Sequence, residues 1–159
     1  MNINIITVGS LKSSFLEPGI EEFTKRLGRY CDLNIIEIAD ETVPKNPSAK
    51  EVEALQALEA ERIIKSIPDR SYVFALDVKG KPMTSKGFAK SLNNLQVRGY
   101  SSFSFIIGGA TGLSNIVLQQ ADYKFSLSHM TFTHQMIRLI LLEQIYRAFK
   151  INNNEPYHL

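Results

Sequence analysis

The sequence predicts a single α/β domain, a parallel sheet with helices on both faces, spanning residues 1–159. Three observations carry this. Strand-like and helix-like segments alternate along the whole chain with short links between them. Tyr72 to Val78 and Phe103 to Ile107 are nearly unbroken apolar runs, which suit strands buried on both faces. The second run leads directly into Gly108-Gly109, at the kind of strand-to-helix turn where open α/β sheets bind ligands.

The elements follow in order. Ile3 to Val8 is β-branched and apolar and ends at Gly9, so it reads as a strand. Ile20, Phe23, Leu27 and Tyr30 then recur at helical spacing, with Lys25, Arg26 and Arg29 on other faces. Leu33 to Ile38 is a second strand, and the polar, proline-bearing stretch from Asp40 to Pro47 is a loop. Ser48 and Glu51 have the spacing of a capping box, in which each side chain satisfies the other residue's amide. The helix they open runs to about Ser66 and stops before Pro68. Thr84 to Gln96 is a crossover helix between the two apolar strands. A short helix to about Ala121, a strand from Tyr123 to Leu127 and a long helix from Thr133 to Ile151 complete the chain.

Composition narrows the class. Hydrophobic residues make up 44% and charged residues 21%, as in ordinary globular domains. No apolar stretch is long enough to span a bilayer, and the N-terminus lacks the pattern of a signal peptide, so a cytoplasmic protein is expected. Cys31 is the only cysteine, which rules out an internal disulfide or a cysteine metal cluster and suggests a buried, inert thiol. His129, His134 and His158 form no metal signature, so no metal is expected. The net charge of +2 is weak support for a nucleic-acid partner.

The glycine turn is neither G-x-G-x-x-G nor a P-loop, so neither a dinucleotide nor a nucleoside triphosphate is indicated. The last helix says more. Ile137, Leu141, Leu142, Ile145, Ala148 and Phe149 fall on one half, with Arg138 in their midst. An arginine in an apolar face is costly unless paired or used. Met136, Leu139 and Ile140 interrupt the polar half, as on a helix covered from two sides, either a core helix with Arg138 snorkelling to its end or one with a second subunit as one cover. Glu143 and Arg147 are spaced to pair across one turn. Beyond them lies a tail of three asparagines followed by Glu155-Pro156-Tyr157-His158-Leu159. Read by itself, such a terminus is expected to fray, although a Tyr-His pair also suits contact with a nucleobase.

Taken together, these features resemble the RlmH (YbeA-like) family of SPOUT-class methyltransferases of large-subunit rRNA. The resemblance runs the whole length. It rests on the opening Ile5 to Lys12, on Phe23-Thr24-Lys25-Arg26-Leu27, and on Phe105 to Leu113. It continues through Leu127 to Arg138 and Glu143 to Phe149, ending at Pro156-Tyr157-His158. It implies an α/β fold with a deep C-terminal trefoil knot, S-adenosylmethionine as methyl donor and a homodimer. The implied reaction is methylation of N3 of pseudouridine 1915 in helix 69 of 23S rRNA, on the assembled ribosome.

The resemblance carries the cofactor pocket onto Leu76, Gly108, Leu127, Ser128, His129, Met130, Thr131 and Phe132, which lie at the ends of three expected strands. It makes Arg138, His158, Glu143 and Arg147 the catalytic candidates. Arg138 would stabilise the developing base anion or grip phosphate, and His158 would accept the proton or position the base. Glu143 and Arg147 would orient them. Two positions depart from the family pattern: Thr133 stands where proline is usual before the His-Gln pair, and Leu159 stands where the chain usually ends in a basic residue. Threonine can cap a helix in place of proline. Two other readings compete: a non-catalytic ribosome-binding module of the same fold, and a nucleotide- or flavin-binding α/β protein.

Overall fold

A computed structural model describes residues 1–157. Strands β1 (Asn2–Val8), β2 (Asp32–Ile38), β3 (Tyr72–Pro82), β4 (Ser102–Ile107) and β5 (Tyr123–Ser126) alternate with helices α1 (Glu17–Leu27), α2 (Ala49–Ser66), α3 (Ser85–Val97), α4 (Asn115–Gln120) and α5 (His134–Asn152). Every strand pairing is parallel, in the order β2-β1-β4-β3-β5. The expected alternation and parallel sheet are both present.

Side chains alternate across the sheet, as strand geometry requires. Ile3, Ile5, Phe103 and Phe105 point to the face covered by α1, α3 and α5, where Leu27, Phe88, Leu92, Leu141 and Ile145 complete the larger core. Ile6, Val8 and Ile106 point to the other face, covered by Ala60 and Ile63 of α2 and Val117 of α4. Fully burying each large apolar side chain contributes about 1.5–3 kcal/mol. Cys31 is buried, and burial pushes its thiol up to about 11, so it stays a thiol at neutral pH.

Hydroxyl caps fix the starts of α2, α3, α4 and α5, while α1 starts at Leu16 without a side-chain cap and carries proline in its first turn. Ser48 forms the expected reciprocal box with Glu51. Thr84, Ser114 and Thr133 accept from the amides of Gly87, Val117 and Met136. Thr133 thus does by hydrogen bonding what a proline would do by restricting the backbone.

One strand is longer than the sequence suggested. β3 continues past Val78 to Pro82, and its pairing with β5 shifts register between Leu76 and Lys81. The bulged residues Asp77 to Gly80 include Asp77 and Val78, which line a cavity of about 680 Å³ at the end of the sheet.

Candidate active site

A cavity of about 680 Å³ opens at the carboxyl ends of β3, β4 and β5. Its floor comes from Leu76, Ile107 and Phe125, one wall from Gly108 to Leu113, and another from the loop joining β5 to α5. The size falls within the about 300–1,000 Å³ typical of small-molecule sites. Gly108 is required by contact: a Cβ there would lie 2.8 Å from the Gly112 carbonyl carbon and 3.0 Å from the Leu113 amide nitrogen. The β5–α5 loop is braced internally, with Ser126 Oγ donating to the Ser128 carbonyl at 2.9 Å and Ser128 Oγ accepting from the Met130 amide at 3.0 Å.

The mouth is closed on one side by the loop between β1 and α1. Gln135 Oε1 accepts from the amides of Lys12 and Ser13 at 3.0 and 2.8 Å, which pins this loop to the first turn of α5. Ser13, His134 and Gln135 all line the cavity. His134 is held below the usual imidazole range, first by burial and then by the positive charge of Arg138, with Asp40 opposing. It is therefore mostly neutral at pH 7.

Arg138, one turn further along α5, is 3% exposed. Its Nη1 donates to Glu37 Oε1 at 2.6 Å and its Nη2 to the Gly9 carbonyl, while its Nε has no hydrogen-bond partner among the described residues. Glu37 Oε1 also accepts from the Leu11 amide at 2.9 Å. Arg138 lines a second, smaller cavity of about 160 Å³ with Ile5, Leu11, Ile20, Ile35, Glu37 and Leu142.

A separate cluster occupies the far half of α5. Arg147 Nη2 and Nε donate to Glu143 Oε1 at 2.6 and 3.0 Å. Tyr157 Oη donates to the same oxygen at 3.1 Å, and the Arg147 guanidinium lies 4.8 Å from the Tyr157 ring centroid. Burial, reinforced by Glu143, raises the Tyr157 phenol, so it remains a donor at neutral pH.

The tail is docked as far as Tyr157, contrary to the fraying expected from its position. Asn152 Nδ2 donates to the Ala89 carbonyl at 2.9 Å and Asn153 Nδ2 to the Phe149 carbonyl at 3.0 Å. Glu155 then accepts from Tyr30 Oη at 2.7 Å and from Lys150. Asn153 helps end α5 by satisfying the Phe149 carbonyl, Asn152 ties α5 to α3, and the aromatic residues pack on α5, with the Tyr146 and Tyr157 centroids 5.0 Å apart. His158 lies outside the described residues.

The family model described as "Predicted SPOUT methyltransferase" matches residues 1–158. The chain belongs to the SPOUT methyltransferase family.

Relatives within this family are similar over their full length. Ribosomal RNA large subunit methyltransferase H of Halothermothrix orenii is 59% identical over 158 residues, 99% of each chain. The protein of the same name from Clostridioides difficile is 55% identical over the same span and coverage. Among solved structures, a probable methylase family protein from Haemophilus influenzae Rd KW20 superposes with a TM-score of 0.53 at 15% identity, covering 99% of this chain and 70% of that one. At that identity the likeness concerns the fold.

Within this SPOUT domain the expected cofactor residues largely converge. Leu76, Gly108, Leu127, Ser128, Met130, Thr131 and Phe132 all line the large cavity; His129 is exposed and does not. The described catalytic candidates do not converge in one chain. Arg138 borders the smaller cavity, and Glu143 and Arg147 lie further along α5. Sequence reasoning missed Asp77, His134 and Gln135 as cavity residues. Asp77 lay inside an apolar run, and only the bulge that follows Leu76 turns it to the site. Gln135 was visible as a polar residue, but its two loop contacts span more than a hundred residues and leave no local pattern.

Proposed function

We propose that this chain transfers a methyl group from S-adenosylmethionine to N3 of pseudouridine 1915 in helix 69 of 23S rRNA, on the assembled ribosome in the cytoplasm, as a homodimer with the knotted C-terminus of its family. The observation that carries the proposal is the cavity formed by the Gly108 turn and the 127–132 loop in a chain 59% identical to a large-subunit rRNA methyltransferase.

The cavity's chemistry suits this donor. No lysine or arginine is among the described residues lining it, which disfavours a phosphate-bearing nucleotide and the flavin or nucleotide reading with it. Asp77, the one carboxylate among the described lining residues, suits the hydroxyls or the positive charge of an adenosyl sulfonium ligand. Gly108 lets backbone approach the ligand closely. Leu76, Leu127, Met130 and Phe132 supply apolar surface and exclude water.

Bound there, S-adenosylmethionine supplies a methyl already activated on sulfur, so the protein's main task is alignment. The acceptor nitrogen must lose a proton. Neutral His134 is placed on the wall to accept or relay it, and His158 is the tail's contribution to the same task. Arg138 supports the β1–α1 loop and places positive charge beside the cavity. Glu143, Arg147 and Tyr157 form a rigid set that a second subunit would present.

The test is transfer of radiolabel from S-adenosylmethionine to intact ribosomes from cells lacking the enzyme, to separated subunits and to free rRNA. Label in one helix 69 pseudouridine is expected. No label on any substrate, with cofactor binding confirmed by calorimetry, would replace this reading with a non-catalytic ribosome-binding module.

A further inference from the structure

Between Asp77 and Asp122 the chain contains no Asp or Glu, yet it carries Lys79, Lys81, Lys86, Lys90 and Arg98. These five positive charges exceed the net charge of the whole chain, +2. All five are exposed. None of them is in an ion pair among the described residues, whereas Arg26, Arg62, Arg138, Arg147 and Lys150 are paired.

The local arrangement works against the helix that bears it. On α3, Lys86 and Lys90 are one turn apart, and like charges at that spacing repel. Lys86 is in the first turn, where the helix dipole already presents positive potential, and that turn has no acidic residue. The exposed face of α3 continues with Asn93, Asn94 and Val97. The other long surface helices mix signs: α1 pairs Glu22 with Arg26, and α2 carries acidic and basic residues together. A lysine-only face with amides beside it and no internal compensation is arranged for an external anion.

Its place in the fold indicates which anion. Lys79 and Lys81 lie on the end of β3 immediately after Asp77 and Val78, which line the large cavity, and the strand leads through Thr84 into α3. Positive charge therefore begins two residues beyond Asp77 of the cavity lining and continues along the exposed face of α3.

We propose that the end of β3 and the exposed face of α3 form a docking surface for the phosphate backbone of the substrate rRNA, guiding the target nucleotide to the cavity. This rests on the rRNA methyltransferase reading above. The contacts are to phosphate, so they set affinity and register while base recognition takes place in the cavity.

The test uses the full-length protein with Lys86→Glu and Lys90→Glu combined, both at exposed positions where charge reversal leaves the core intact. Binding to intact ribosomes is measured across salt concentrations, separately from methyl transfer, with S-adenosylhomocysteine binding as a control for the cavity. The variant is expected to bind ribosomes at least about tenfold more weakly, with the slope of log affinity against log salt reduced by about 1–2, as for loss of two phosphate contacts. Its affinity for S-adenosylhomocysteine stays unchanged. Ribosome affinity and salt slope equal to wild type would overturn the proposal. So would a loss of ribosome affinity with the salt slope unchanged from wild type, which would assign the surface to a contact other than phosphate. A wild-type protein that binds ribosomes in this charge-dependent way but transfers no methyl would refute the catalytic reading and support the docking surface.

Discussion

Arg138 Nη1 lies 2.6 Å from Glu37 Oε1, joining the start of α5 to the end of β2. The guanidinium side chain is 3% exposed and the carboxylate side chain 41%. The same guanidinium holds the Gly9 carbonyl, and the same carboxylate holds the Leu11 amide. Arg138 therefore anchors the β1–α1 loop, whatever it contributes to chemistry. Glu37→Ala leaves a buried positive charge with one carbonyl partner. It should cost about 3 kcal/mol, the low end for a broken buried ion pair, because the lost carboxylate was partly in water. Urea denaturation measures this. Arg138→Met, which removes the charge and fills the space, should cost less than Glu37→Ala. If it costs more, Arg138 contributes beyond this pairing.

Gly108 and Gly112 differ in why they are glycine, and alanine at each should report that difference. A Cβ at Gly108 meets backbone at 2.8 Å, so the turn must move and the cavity wall moves with it. Gly108→Ala should weaken S-adenosylhomocysteine binding by tenfold or more in calorimetry. Gly112 has open space around it but a φ of +78°. Gly112→Ala should cost about 1 kcal/mol of stability, the penalty for a side chain in the left-handed region, and much less affinity. Equal affinity losses at both positions would mean that conformation, not close approach, governs the wall.

Much of the architecture was legible because it is encoded locally. The capping box at Ser48, the period of α5 and the apolar runs of β3 and β4 each leave a short-range pattern. A cavity opens where the strands end, as this class of sheet predicts, but its individual residues were named only through the family resemblance. What was not legible depends on contacts between distant segments. The strand order is set by packing across the sheet, and the bulge that turns Asp77 toward the cavity is set by the pairing of β3 with β5. Arg138 was recognisable as an anomaly in an apolar face, but its partner Glu37 lies 101 positions away. The docked tail is not legible in the sequence because three asparagines resemble a disordered linker until Asn152 and Asn153 are seen to donate to the Ala89 and Phe149 carbonyls.

Glu59 is 5% exposed, and its Oε1 accepts from the Glu41 amide at 3.1 Å. Burial raises its pKa, with Glu41 and Asp40 adding to the rise, while the Glu41 amide and Arg62 oppose it. The folded protein therefore holds this proton to higher pH than the unfolded chain, where a glutamate titrates near about 4.3. The stability from this group is fully present below that value and is lost as pH rises through the raised folded pKa. At neutral pH the buried carboxylate is a net cost. Glu59→Gln keeps an acceptor for the Glu41 amide and removes the ionisation. It should be more stable than wild type at pH 7, with the difference shrinking toward pH 4. Urea midpoints at several pH values test this, and a variant less stable at pH 7 would show that the charge is compensated in the fold.

Glu143 lies nine positions after His134 on one continuous helix, about 13 Å along its axis at 1.5 Å per residue. The Glu143–Arg147–Tyr157 cluster therefore cannot reach an atom reacting beside His134 in the same chain. It can act only if another subunit brings it there. From His134 to Ile151 no residue of α5 is fully exposed, yet Met136, Leu139 and Ile140 are only partly covered, which leaves apolar surface for such a partner. Under this reading, Gly108→Arg blocks one subunit's cavity and Arg147→Ala disables the cluster it lends to the other. Each variant alone should be inactive. In a mixed dimer, the intact cavity of one chain meets the intact cluster of the other, so one of its two sites is complete. Random mixing makes half the dimers mixed, so methyl transfer should recover to about a quarter of wild type in a two-fold symmetric dimer. If each site were built within one chain, every site in the mixture would carry a defect and nothing would recover.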